Sequence, residues 1–159
     1  MEALLSEFGQ IHKYDTFDPQ YMDKLPAEAK REALSLITMI KEKRDGKVKA
    51  RACADGRKQR RYISKEDVAS PTMRLESLIL SLIIDAKEGR DVAIADVVGA
   101  YLLASMEDYV VVKITGREVD IMCEVSSEYE EYVTMENGKK VLYLRLKKAL
   151  YGCIESAIL

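Results

Sequence analysis

The sequence predicts an α+β domain with a mostly antiparallel sheet. Three observations lead there. The 159 residues are 48% apolar and 33% charged, a globular composition long enough for one buried core. Asp-Gly and Asn-Gly pairs at 55–56 and 137–138 are hairpin signals. Segments of helical and of twofold apolar spacing follow one another without the regular alternation that a parallel sheet requires.

The elements follow in chain order. Residues 1–22 read as irregular, with Asp18-Pro19 as a turn. Asp23 is the expected N-cap of a helix over 25–43, with Pro26 in its first turn and a stripe of Ala33, Leu36, Ile37 and Ile40. Asp45-Gly46 ends it. From Lys47 to Ala54, basic residues alternate with small or apolar ones, which predicts a strand with Lys47, Lys49 and Arg51 on one face. Asp55-Gly56 should turn this strand into a return strand at 60–63. Ser70-Pro71 should start a helix whose face of Leu75, Leu78, Ile79, Leu82, Ile83 and Ala86 is core, with Gly89 as its stop. Residues 91–98 read as a buried strand, 99–106 as a helical turn, 109–114 as a strand and 117–131 as short helical turns. Asn137-Gly138 leads into a strand over 141–146, with Leu142, Leu144 and Leu146 on one face.

Charge is unevenly distributed. The net charge is −2, yet residues 41–61 hold ten basic and three acidic residues. Such a block fits a phosphate-bearing partner or a solvated basic surface. A single histidine, His12, excludes His-rich metal sites and the usual catalytic triads, and three scattered cysteines (Cys53, Cys123, Cys153) argue for reduced thiols. No apolar run approaches the roughly 18 residues that span a bilayer, and no signal peptide is visible, so a cytoplasmic protein without a membrane partner is expected.

Asp96 stands out in VAIADVVGAYLL. A carboxylate in an apolar run is an outward-facing strand-end residue, an N-cap, or a ligand of a hard cation such as Mg²⁺. Tyr101, five residues on, is a core aromatic or a wall above that carboxylate.

The blocks KARACADGRKQ, ASPTMRL, IADVVGAYL, Tyr109-Val110 and LKKALYG occur in this order. Together they resemble the N-terminal half of a Ty1/copia-type retrotransposon reverse transcriptase, over about residues 47–153. The resemblance implies a lead-in segment with one helix at 1–46, and fingers with a partial palm at 47–159. It implies that Asp96 is a catalytic carboxylate holding Mg²⁺, with the Val97 carbonyl as a further metal ligand. It implies nucleotide contacts for Tyr101 (a steric gate against ribose), Lys49 and Arg51. Lys47, Arg57, Lys58, Arg60 and Arg61 are the expected nucleic-acid contacts. The implied partners are an RNA or RNA/DNA template-primer and deoxynucleotides; the oligomeric state is left open. Glu155 stands where that family usually has Gln. These 159 residues contain no Asp-Asp pair, so the expectation is a fragment of an RNA-directed DNA polymerase, truncated before its Tyr-x-Asp-Asp motif and inactive alone. The alternative is a non-catalytic RNA- or protein-binding module derived from a retroelement.

Overall fold

The computed structural model describes residues 1–63 and 72–157. The element order is α1 (Glu2–Lys13), β1 (Phe17–Gln20), α2 (Ala27–Glu32), β2 (Leu34–Glu42), β3 (Val48–Ala54), a 3₁₀ turn (Gly56–Arg61), α3 (Leu75–Glu88), α4 (Ala100–Leu103), β4 (Val111–Thr115), α5 (Arg117–Val125), a second 3₁₀ turn (Ser127–Tyr132), β5 (Thr134–Glu136), β6 (Lys139–Leu146) and a last 3₁₀ turn (Glu155–Ala157). The six strands form one sheet in the order β1-β6-β4-β2-β3, with β5 also on β6. All pairings are antiparallel except β2 with β4, which meet only at Leu34↔Val112 and Ser35↔Lys113. The α+β, mostly antiparallel expectation therefore holds.

Twofold alternation sorts the side chains of the central strands. Val112 and Ile114 of β4 and Leu142, Leu144 and Leu146 of β6 join one core with Leu4, Phe8 and Ile11 of α1 and Val119, Ile121 and Met122 of α5. Val111, Val141 and Tyr143 point the other way, into a smaller cluster with Leu25 and Ala33. Ala50, Ala52 and Ala54 of β3 are buried in the main core; small side chains there let α1 approach the strand.

Several expectations are corrected. Residues 1–22 are not irregular: α1 carries a helical stripe of Leu4, Phe8 and Ile11, and β1 pairs with β6 from Phe17↔Leu146 to Gln20↔Tyr143. The helix expected over 25–43 stops at Glu32. Residues 34–42 form β2, because LSLITMI also carries β-branched residues and its backbone groups find partners in β3. The hairpin of the basic strand consequently closes at Asp45-Gly46, where Gly46 has φ 77°, and not at Asp55-Gly56. Asp55 instead caps the 3₁₀ turn, its carboxylate accepting the Arg57 N–H, so the return strand at 60–63 does not exist. The Asn137-Gly138 hairpin is as expected, both residues having positive φ.

The largest departures lie between Leu75 and Val98. α3 is helical and ends at a left-handed Gly89, but its N-cap is Arg74, and the Ser70-Pro71 start lies outside the described residues. Its apolar residues are not core: Leu75, Leu78, Ile79, Leu82 and Ile83 are 44–66% exposed. Residues 91–97 form no regular secondary structure and Val98 begins a turn, and Ile94 is 97% exposed. Apolar, β-prone residues make a strand only beside a partner strand, and none lies beside them among the described residues. No helix among the described residues is long and apolar enough to cross a membrane.

Candidate active site

A cleft of about 230 Å³ opens between α1, β3, the segment before α4 and the chain after β6. Its lining includes Lys49, Arg51, Asp96, Val97 and Tyr151. Residues as far apart in sequence as Glu7 and Tyr151 thus face one space.

β3 supplies the basic wall. Its alternation buries Ala50 and Ala52 and leaves Lys49 and Arg51 exposed, as the sequence predicts. The Glu7 carboxylate of α1 accepts the Ala52 N–H at 3.1 Å, and the Tyr151 carbonyl accepts the Ala54 N–H at 2.7 Å, so the outer edge of β3 is held at both points.

Asp96 is exposed and belongs to an irregular segment, not to a strand end. Nor is it an N-cap, since Gly99, in the left-handed region at φ 68°, caps α4. The segment is fixed just beyond Asp96: the Tyr14 hydroxyl donates to the Val98 carbonyl at 3.5 Å, and Gln10 lies against Gly99. Tyr101 of α4 is half-buried, and its ring meets that of Tyr151 edge-on, 4.6 Å between centroids and 65° between planes. The Arg51 guanidinium lies over the same Tyr151 ring at 5.4 Å.

The sequence blocks meet through their glycines. A Cβ on Gly152, at φ 89°, would overlap the Ala54 carbonyl oxygen, and a Cβ on Gly56 would overlap the Gly152 carbonyl oxygen. Gln59 is fully buried and accepts the Ile154 N–H at 2.9 Å. Gly56, Gln59 and Gly152 therefore join the KARACADGRKQ and LKKALYG blocks, whereas Lys49, Arg51 and Tyr151 face the cleft.

The remaining basic residues divide. Arg57 makes a forked ion pair with Asp55, at 2.8 Å from Nε to Oδ1 and 2.5 Å between the outer atoms. That pair lowers the Asp55 carboxyl to about 2 and raises Arg57. The Lys58 ammonium donates to the Arg31 and Ala33 carbonyls at 2.8 Å each, at the end of α2. Lys47, Arg60 and Arg61 are exposed, Lys47 beside the hairpin turn and the two arginines on the 3₁₀ turn. The single basic ribbon expected from the sequence is thus two patches, with Arg57 paired to Asp55 at the surface and Lys58 bonded to the end of α2.

The donors suit a hard divalent ion only as part of a shared shell. Mg²⁺ takes one or two carboxylates and completes its shell with water and phosphate oxygens. Asp96 and the Val97 backbone supply oxygens of that kind. No group of three or more His, Cys, Asp or Glu that could hold a metal occurs among the described residues. Glu7, Gln10 and Tyr151 line the cleft without having been singled out in the sequence. A helical reading of residues 2–13 would have offered the first two, and Tyr151 was visible within LKKALYG.

The family described as Reverse transcriptase (RNA-dependent DNA polymerase) matches residues 19–158. The chain belongs to this Ty1/copia-type reverse transcriptase family. No curated protein and no solved structure matches it. The reverse transcriptase match spans β1 to the last 3₁₀ turn and includes every cleft residue except those of α1. The carboxylate of Glu7 and the amide of Gln10 are additions to the cleft from outside the matched residues.

Proposed function

We propose that the chain is the fingers and partial palm of an RNA-directed DNA polymerase, and that the cleft takes the triphosphate of an incoming deoxynucleotide. The observation that carries this reading is the meeting of Lys49, Arg51, Asp96 and Val97 around one space. Phosphoryl transfer asks a protein mainly to position groups and to neutralise charge. Lys49 and Arg51 neutralise the triphosphate, Arg51 as a planar fork and Lys49 as a point charge. Asp96 and the Val97 carbonyl hold Mg²⁺, which when bound supplies charge neutralisation at the transferring phosphate. Tyr101 excludes a ribose 2′-hydroxyl. Two-metal transfer needs further carboxylates, and these residues contain no Asp-Asp pair, so the 159-residue chain alone binds nucleotide without extending a primer. Calorimetry with dATP and Mg²⁺ should show one weak saturable site, weakened about tenfold in Arg51→Gln, a loss of about 1.4 kcal/mol. Templated primer extension that Asp96→Asn abolishes would overturn the non-catalytic part of this reading.

A second reading, a nucleic-acid-binding module without catalysis, draws on exposed Lys47, Lys49, Arg51, Arg60 and Arg61. With Arg57 and Lys58 engaged internally, about two to four phosphate contacts remain. Binding of a single-stranded RNA would then fall with salt at a log–log slope of roughly −1.4 to −2.8. Charge reversal at Arg60 and Arg61 should weaken it far more than Asp96→Asn. Equal losses would favour the nucleotide cleft as the RNA site instead.

A further inference from the structure

We infer that Tyr151 is the positioning residue of the cleft: its ring orders Arg51 and Tyr101 together, so that phosphate affinity and the preference for deoxyribose depend on one side chain. This inference rests on the reading of the cleft as a nucleotide site.

The ring is the shared partner of both residues. Arg51 lies over it at 5.4 Å, and Tyr101 meets it at 4.6 Å and 65°. A guanidinium stacked by its face keeps its five N–H donors free around the edge. The cation–π contact with Tyr151 restrains Arg51 without using its N–H donors in a hydrogen bond, which leaves them for phosphate oxygens. Tyr101 has the complementary need. A wall that rejects one hydroxyl group works only if it holds still, and the edge-to-face contact with Tyr151 restrains its ring.

The platform is itself fixed. The Tyr151 carbonyl is bonded to the Ala54 N–H at 2.7 Å, three residues from Arg51 on the same strand. On the other side Gly152 is packed between Ala54 and Gly56, and the Ile154 N–H is held by buried Gln59. The ring is thus presented from backbone pinned to the strand that bears Arg51. Its hydroxyl has no part in the stack, so phenylalanine should replace it and leucine should not.

The test uses the 159-residue chain with Mg²⁺ and either dATP or ATP, read by calorimetry, together with NMR of the Arg51 side chain. The Arg51 side-chain protons over the ring should be shifted upfield in the wild type and in Tyr151→Phe, and not in Tyr151→Leu. Tyr151→Leu should lose about fivefold in dATP affinity, and its dATP/ATP ratio should fall towards one. Arg51→Gln should lose affinity for both nucleotides and keep the ratio; Tyr101→Ala should lose the ratio and keep most of the dATP affinity. A wild-type chain that prefers dATP, with a Tyr151→Leu variant that keeps both the affinity and the ratio, overturns this inference and leaves the nucleotide reading standing. A Tyr151→Phe variant that behaves like Tyr151→Leu also overturns it, because the hydroxyl and not the ring would then be the working part. A wild-type chain that binds neither nucleotide removes the nucleotide reading and this inference with it.

Discussion

The sheet with α1 and α5 and the stretch from Leu75 to Val98 are equally apolar in sequence and opposite in structure. Phe8 is fully buried, and Leu142 and Leu144 are too; Leu78 is 45% exposed and Ile94 97% exposed. The difference is one of partners. The central strands β4 and β6 have their backbone groups taken up by neighbours and an apolar face packed with α1 and α5. α3 satisfies its own backbone hydrogen bonds and so persists as a helix with its Leu and Ile side chains in water. Residues 91–97, which have no strand beside them among the described residues, stay irregular and unpaired. Apolar periodicity therefore reports which face could be buried, and only the rest of the fold decides whether it is.

Mutations should separate the two regions, beginning with the core. Phe8→Ala empties a fully buried site between α1 and the sheet, and should cost about 3–5 kcal/mol in a urea titration. A loss as small as that of an exposed residue would mean that α1 is not part of the core.

Gly152→Ala attacks the junction between the packed region and the cleft. The left-handed backbone alone costs about 1–2 kcal/mol for an L-residue, and the overlap with the Ala54 carbonyl adds to it. Thermal denaturation should show a clear drop, with Gly46→Ala, which has open space around it, as the milder control.

Glu155 probes the same junction through pH. Burial, and then the facing Asp108 carboxyl, raise its pKa from 4.5 to about 7. A raised folded-state pKa means that the folded protein holds a proton that the unfolded chain releases. The stabilisation is complete below about pH 4.5 and is lost as pH rises through 7. Glu155→Gln should flatten the stability profile across that window, and should stabilise the protein at pH 8 by on the order of 1 kcal/mol, allowing for solvent screening. A profile unchanged by the substitution would show that the two carboxyls do not interact.

The smallest effect belongs to α3. Leu78→Ala removes an exposed side chain and should change stability by less than about 0.5 kcal/mol. A loss above about 2 kcal/mol would show that α3 is packed in solution, and would erase the contrast with the sheet.

What could be read in advance follows the range of the interactions. The α+β class, the basic alternation of β3, the Asn137-Gly138 turn, β6 and the left-handed stop at Gly89 are set within a few residues, and all are as expected. The sequence 34–42 fits a helix by the spacing of Leu36, Ile37 and Ile40 and a strand by its β-branched residues, and the choice is made by β3 across the Asp45-Gly46 turn. α1 was obscured by Gly9 at its middle and by a start without a side-chain cap. For the cleft, the resemblance supplied Lys49, Arg51, Asp96 and Val97; Tyr101 is not among the lining residues and meets the cleft only through its contact with Tyr151. The resemblance did not distinguish Arg57 and Lys58, whose partners, Asp55 and the end of α2, are matters of local folding. A helical reading of residues 2–13 would have put Glu7 and Gln10 near one face of α1, but that α1 lies along β3 is set by the core and not by any local pattern.

The pairing of β1 with β6 also sets the order of events during synthesis. Phe17 lies opposite Leu146, so the β1 edge of the sheet waits for 129 further residues (146 − 17) to be made. At translation rates of about 5–20 residues per second this is an interval of roughly 6–26 seconds. Through all of it β1 lacks its partner strand β6, and α1 lacks the β6 part of its core, while α3 is made before β4 and β6. The nascent chain thus offers its apolar surface to chaperones for seconds, and a synonymous codon change that slows synthesis between α3 and β6 should lower the soluble yield without altering a single residue.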